Sequence, residues 1–181
     1  MRKIIAGCLT TIIMLCCFTA CNNDNNDYNI SITNLEAGFS ASDEKFKFTI
    51  SEKSDGFSFE YIDNIFGTEV TYSGSADKKQ NITNFTIIYK DISTETLYSV
   101  SKMNTALSHL IQDPDSLTIN EMVATGCLFD LMQLYYTIGV DDDVTIATIL
   151  DNIHENKTTE MNGWSVSVKT SGSTVTFTMN K

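Results

Sequence analysis

The segment that most constrains the fold is the long apolar run at residues 118–139, TINEMVATGCLFDLMQLYYTIG. Thr118 and Glu121 stand at capping-box spacing at its start, and Gly139 is a residue type that commonly ends helices. At about 100° per residue, most of the surface of such a helix is apolar. We therefore predict a central helix that the rest of the chain covers on several sides.

One narrow stripe of this predicted helix is small or polar, and it comprises Gly126, Asp130, Gln133 and Thr137. We expect the stripe to face solvent. The alternative is that Asp130 or Gln133 lies among apolar neighbours, where a carboxylate can serve as an acid or a base. Leu131 is predicted to be buried and to face the sheet that the flanking regions form.

The regions before and after this helix alternate apolar and polar residues, which is the period of a half-buried strand. The alternating apolar residues are Phe46, Phe48, Ile50, Phe57, Phe59, Tyr61, Val70, Tyr72, Phe85, Ile87, Tyr89, Trp164, Val166, Val168, Val175, Phe177 and Met179. Ile30 and Ile32 are predicted to add an edge strand, and residues 73–81 are predicted to be a loop. Strands with one wet face indicate an antiparallel sheet.

Two further helices are predicted. One has Ser93 or Thr94 as its cap and ends near Gln112, because Pro114 disfavours helical geometry at Asp113. Its apolar residues at helical spacing are Leu97, Val100, Met103, Leu107, Leu110 and Ile111. A shorter helix follows Asp143 as its cap. Strands, helices and strands in separate blocks indicate an α+β fold. We expect a single domain over residues 28–181, with one antiparallel sheet, about three helices on one face, and lysines and hydroxyls on the other face.

The charge of the chain excludes one class of partner. The formal net charge is −11, and Lys and Arg form no cluster beyond the first residues. Proteins that bind nucleic acid need clustered basic residues to meet the phosphates. We therefore predict no nucleic-acid partner.

The N-terminus has the pattern of a targeting segment. Arg2 and Lys3 precede an apolar run at residues 4–18, which ends in Phe18-Thr19-Ala20-Cys21. This pattern resembles a bacterial lipoprotein signal. The resemblance implies that residues 1–20 are a signal peptide and that Cys21 is acylated and becomes the first residue of the mature chain. An uncleaved membrane-spanning anchor is the alternative, although the run is short for one.

Residues 21–27 are predicted to be the lipidated cysteine and a polar tether, because NNDNND has no apolar residue to bury. Asn22 and the acidic residues behind it resemble lipoproteins that are passed to the outer membrane, with the leaflet left open. The membrane is then a partner through the anchor at Cys21. After cleavage, Cys127 is the remaining free thiol, and we interpret it as a small core hydrophobe.

No linear motif for catalysis, a cofactor or a metal is present in the sequence. His109 and His154 lack recognisable partners, and the run Asp141–Asp143 fits helix capping better than the alternating ligands of a calcium loop. We predict no catalytic residue, no cofactor and no metal site.

Two functions remain open. The first is a non-catalytic binding or interaction module at the envelope, with a glycan or an envelope protein as ligand. Its predicted ligand-binding residue is Trp164, which follows the Asn162-Gly163 turn and is the single tryptophan of the chain. The second is a hydrolase that uses dispersed carboxylates such as Asp130, because such pairs leave no linear motif.

Overall fold

The computed structural model describes residues 18–23, 27–32, 40–42, 46–65, 67–92, 94–97, 99–138 and 146–181. Within these ranges the strands are β1 (Phe18–Asn23), β2 (Asp27–Ile32), β3 (Ser40–Ser42), β4 (Phe46–Lys53), β5 (Gly56–Ile65), β6 (Thr68–Asp77), β7 (Ile82–Tyr89), β8 (Thr158–Met161), β9 (Trp164–Ser171) and β10 (Thr174–Asn180). The helices are α1 (Thr94–Leu97), α2 (Val100–Gln112), α3 (Ile119–Thr137) and α4 (Ile146–Glu155), with a 3-10 turn at Pro114–Ser116.

The described strands form an antiparallel sheet in the order β3-β4-β5-β6-β7-β10-β9-β8, and β1 and β2 form a separate two-stranded ribbon. An α+β fold with an antiparallel sheet is thereby confirmed. Ile30 and Ile32 pair with β1 in the ribbon, so the predicted edge strand of the main sheet is wrong. The ribbon also takes in part of the predicted tether, since Cys21 pairs with Asn29.

Strand β6 continues through Asp77, so residues 73–77 are not the predicted loop. The inward positions there are small, which hides the alternation from a search for large apolar residues. Gly74 lies between Phe59 and Phe85 in the register, and their rings stack across it at 6.1 Å. A Cβ atom on Gly74 would stand 2.4 Å from the Phe59 ring, so only glycine fits this position without a shift of the ring.

The predicted first helix is broken into α1 and α2. Ser99 interrupts it in an extended conformation and caps α2, where its hydroxyl accepts a hydrogen bond from the Lys102 amide. As expected, α2 ends at Gln112 and is followed by the 3-10 turn that begins at Pro114.

The predicted capping box of α3 is confirmed. The Thr118 hydroxyl accepts a hydrogen bond from the Glu121 amide at 3.2 Å, and the Glu121 carboxylate accepts one from the Thr118 amide at 2.8 Å. The predicted stops and caps at Gly139 and Asp143 lie outside the described residues.

The orientation predicted for α3 is right for Leu131, which is fully buried, and wrong for Asp130, whose exposed fraction is 1%. Gln133 is exposed, while Gly126 and Thr137 are half-buried. The stripe therefore does not face solvent as a unit. Asp130 can be buried because the sheet supplies hydrogen-bond donors to its carboxylate.

Candidate functional site

One face of the main sheet is buried and the opposite face is accessible. Buried residues alternate with half-buried ones along β6 and β10. On the accessible face the register aligns a row of polar residues from β4 to β8: Thr49, Glu60, Ser73, Thr86, Thr178, Ser167 and Thr158. Every residue of this row except Glu60 carries a hydroxyl, and we call the surface around it the hydroxyl face.

A concavity of about 400 Å³ lies at the β4–β6 end of the hydroxyl face. Five of its lining residues carry hydroxyls: Thr49, Ser51, Ser58, Ser73 and Ser75. Asn84 adds an amide, although its Nδ2 atom already donates to Asn180 Oδ1 at 2.6 Å. Hydroxyls both donate and accept, so this surface can match a ligand that is itself rich in hydroxyls.

The concavity carries a small net positive charge. Its charged lining residues are Lys47, Lys53 and Glu60, which give 2 − 1 = +1. The whole chain has a formal net charge of −11. Two ammonium groups are therefore available to anionic groups here, on a protein that is acidic as a whole.

Trp164, the predicted ligand-binding residue, is not available to a ligand, because its exposed fraction is 0%. It lies in phase with Val166 and Val168 on the buried face of β9, and the Lys181 ammonium stands 5.5 Å from the centre of its ring. The prediction is wrong because the alternation of β9 outweighs the position of Trp164 beside a turn. The same alternation was visible in the sequence and indicates a core residue.

The turn before Trp164 has a structural role of its own. Asn162 and Gly163 have positive φ angles of 48° and 80°, as a tight hairpin turn requires. The Asn162 amide donates a hydrogen bond of 2.7 Å to the carbonyl of Ile138 at the end of α3. The turn is thus packed against the central helix.

Burial of Trp164 predicts a blue-shifted emission spectrum that acrylamide does not quench in the folded protein. A matched control is the double variant Trp164→Phe with Ile111→Trp, because Ile111 is 79% exposed. Its emission should be red-shifted and readily quenched. Strong quenching of the native protein to the same degree as the control would contradict the burial of Trp164.

Asp130 lies in the core, where two tyrosines of the sheet donate to it. The Tyr72 hydroxyl donates to Asp130 Oδ2 at 2.9 Å, and the Tyr89 hydroxyl donates to the same oxygen. Hydrogen bonds to a carboxylate are stronger than those between neutral groups and offset the loss of water around the charge. This cluster joins α3 to β6 and β7.

The protonation of the neighbouring groups fits a structural role. Burial raises the pKa of the Tyr89 hydroxyl well above its usual value, and the charge of Asp130 raises it further. Burial likewise raises the pKa of the Cys127 thiol, with the charge of Asp130 as the second cause. A thiolate is the reactive form of cysteine, so Cys127 is a poor nucleophile at neutral pH.

The other buried carboxylate of the described residues, Asp63, is also held inside the fold. It accepts hydrogen bonds from the Tyr61 hydroxyl at 3.0 Å and from the Asn64 amide at 2.7 Å. Neither Asp63 nor Asp130 lines the concavity of the hydroxyl face or a second concavity that runs along α2 from Val100 to His109. The hydrogen bonds of Asp130 link α3 to the sheet, whereas those of Asp63 stay within β5.

His109 Nδ1 lies 3.5 Å from a carboxylate oxygen of Glu121, which connects the end of α2 to the start of α3. Among the described residues, no three or more histidine, cysteine, aspartate or glutamate side chains are grouped so that they could hold a metal ion. The run Asp141–Asp143 and the side chain of His154 lie outside the described part of the chain.

The predicted leader lies outside the described residues up to position 17. Of the helices that the structure does describe, none combines the length and the apolar character needed to cross a membrane. Comparison of the chain with protein families, curated proteins and solved structures finds no match.

Proposed function

We propose that this protein is a lipoprotein of the bacterial envelope, anchored through acyl chains on Cys21, and that it acts as a non-catalytic binding module. The basic residues Arg2 and Lys3, the apolar run behind them and the small residues before Cys21 support the anchor. More than one acyl chain gives stable membrane attachment. Asn22 and the acidic residues behind it favour the outer membrane, in either leaflet.

In this proposal the helices cover the inward face of the sheet and leave the hydroxyl face to the ligand. The contacts of Asp130 with Tyr72 and Tyr89 support the position of α3, because both tyrosines are buried inward residues. The strands–helices–strands order of the chain would then place one helical block between the two halves of the sheet.

The concavity between β4 and β6 is the observation that carries the binding function. Its hydroxyls suit the hydroxyls of a glycan, and Lys47 and Lys53 suit a carboxylate on that glycan. An acidic glycan therefore fits the surface best. Nucleic acid does not fit, because two lysines on an acidic protein neutralise too few phosphates.

The test is photo-cross-linking of the full chain in the cells that make it, with a photoreactive residue in place of Ser58 in the concavity. The matched control carries the same residue in place of Thr176, which lies on the hydroxyl face at β10. We expect a carbohydrate-positive adduct from position 58 that is absent from position 176. Equal labelling at both positions would contradict a binding site in the concavity. An adduct with a protein at position 58 alone would show that the ligand is a protein and would contradict a glycan ligand.

Charge variants sharpen this result. Lys47→Ala combined with Lys53→Ala should weaken the adduct by about tenfold or more, since hydrogen bonds to charged groups contribute about 1.5–3 kcal/mol each. Lys169→Ala removes an exposed lysine from β9, outside the concavity, and should leave the adduct unchanged.

A further inference from the structure

The two lysines of the concavity lie on one strand and on the same side of it. Lys47 and Lys53 are six positions apart on β4, and side chains an even number of positions apart share a face. At the rise of an antiparallel strand, their Cα atoms are about 20 Å apart. Both lysines are exposed, and within the described ranges no carboxylate forms an ion pair with either. The two charges are therefore available at opposite ends of the concavity.

Glu60 lies between the two lysines along the strand direction. The register pairs it with Thr49, which places it about 7 Å from Lys47 and about 13 Å from Lys53 in that direction. Glu60 is exposed and lines the same concavity. The charges of the concavity therefore follow the order positive, negative, positive along β4 and β5.

The surface between these charges carries hydroxyl groups. Thr49 and Ser51 lie between the two lysines on β4, and the register sets Ser58 of β5 and Ser75 of β6 beside Ser51. All four residues line the concavity. Because hydroxyls both donate and accept, this stretch matches a neutral sugar better than a charged group.

Asp77 is a further carboxylate near Lys53, because the register places both residues across from Gly56. It lies two strands away from Lys53, which is about 10 Å, and it does not line the concavity. Its side chain accepts hydrogen bonds from the backbone amides of Lys79 and Asn81 at 2.8 Å and 2.9 Å. These bonds hold the Asp77 carboxylate in the turn between β6 and β7, and it forms no ion pair with Lys53.

A linear chain is the ligand shape that reaches both lysines, because they are separated along β4 and not across the sheet. A glycan with an acidic group on every sugar would set a carboxylate beside Glu60, where like charges repel. A neutral sugar at that position offers hydroxyl donors to the Glu60 carboxylate, and hydrogen bonds to a charged acceptor are strong. The order of charges therefore selects a glycan in which acidic and neutral sugars are interspersed.

We propose that the ligand of the concavity is a linear glycan that lies along β4 and β5 and in which acidic sugars are separated by at least one neutral sugar. Its acidic groups bind Lys47 and Lys53, and a neutral sugar between them donates hydroxyl hydrogen bonds to Glu60. Glu60 is then the residue that rejects glycans acidic at every sugar. This inference rests on the function proposed above and specifies its ligand.

The composition of the captured ligand tests the order of charges. The adduct of the full chain with a photoreactive residue at position 58 is digested with a protease, and the attached glycan is sequenced by mass spectrometry. We expect acidic sugars separated by neutral ones. A glycan that is acidic at every sugar, or that has no acidic sugar, would overturn this inference while the binding function stands. Absence of any carbohydrate adduct from folded protein would overturn the binding function and this inference with it.

A cycle of lysine variants tests whether one chain spans both ends of the concavity. Lys47→Ala and Lys53→Ala should each weaken labelling at position 58 by about threefold or more. The double variant should weaken it by the product of the two factors, because each lysine contacts its own acidic group. Lys47→Arg combined with Lys53→Arg keeps both charges and should retain the adduct.

A double variant that labels no more weakly than the weaker single variant would mean that both lysines hold one acidic group, and it would overturn the linear arrangement. Unchanged labelling in either single variant would overturn it as well. Emission from buried Trp164 reports whether each variant is folded.

Discussion

Replacing Cys21 with serine is expected to abolish acylation of the protein and leave its leader uncut. The lipidation chemistry implied by the leader needs the thiol of Cys21, and a serine hydroxyl is a much weaker nucleophile near neutral pH. Cells supplied with a labelled fatty acid should show a labelled band for the native chain and none for Cys21→Ser. The unlabelled variant should also be larger, because residues 1–20 are retained.

Cys127→Ser is the matched control for this experiment. The Cys127 thiol is fully buried in α3, where an acyl chain has no access. Its replacement should leave the labelling unchanged even if it weakens the core slightly. If Cys21→Ser were still processed and labelled, the lipoprotein function proposed above would be wrong.

Cleavage before Cys21 would also change the ribbon of β1 and β2. It removes Phe18, Thr19 and Ala20, which supply three of the six pairs of the ribbon. An isolated two-stranded ribbon is only marginally stable in water even when intact. The remaining residue pairs, of which Cys21 with Asn29 is the first, are then expected to separate. Residues 21–27 would then be free to act as the polar tether between the lipid and the domain.

The parts of the fold that the sequence predicts well are those where large side chains mark the period. Phe59 and Tyr61 on β5, and Phe177 and Met179 on β10, are buried as their alternation requires. The second half of β6 is not predicted from the sequence, because Gly74 has no side chain and therefore does not count as an apolar residue in the alternating pattern. Its role becomes visible only when β5 and β7 bring two phenylalanine rings across it.

The candidate site was predictable in composition and not in shape. Thr49, Ser58 and Glu60 were expected on an outward face from their positions between apolar residues. The sequence pattern predicts a loop at Ser73 and Ser75, whereas the register aligns these residues with Glu60 and Ser58. A concavity arises from strands that are distant in sequence, and no local pattern records their pairing.

Asp130 shows a different limit. Its position on α3 is compatible with either solvent or the apolar interior. It is buried because Tyr72 and Tyr89, which lie 58 and 41 residues away along the chain, donate hydrogen bonds to it. A polar residue on an apolar helix is expected to face water unless hydrogen-bond donors are available to it in the protein interior. Helical periodicity cannot show where those donors are.

Leu131→Ala is expected to lower the free energy of unfolding by about 2–5 kcal/mol, the range for removing a buried leucine side chain and leaving a cavity. Leu131 is 0% exposed and belongs to the hydrophobic core, so little room exists for neighbours to relax without loss of contacts. Denaturant titration followed by Trp164 emission measures the change. The chain from residue 21 onward with Cys21→Ser avoids the lipid.

Gln133→Ala is the matched control, two positions further along the same helix. Gln133 is exposed, and alanine is the better helix former, so the change should be under about 1 kcal/mol. The difference between the two variants measures which side of α3 faces the core, independently of the stability of the parent chain. Similar losses for both would mean that Leu131 and Gln133 share one environment, and the orientation of α3 described above would be wrong.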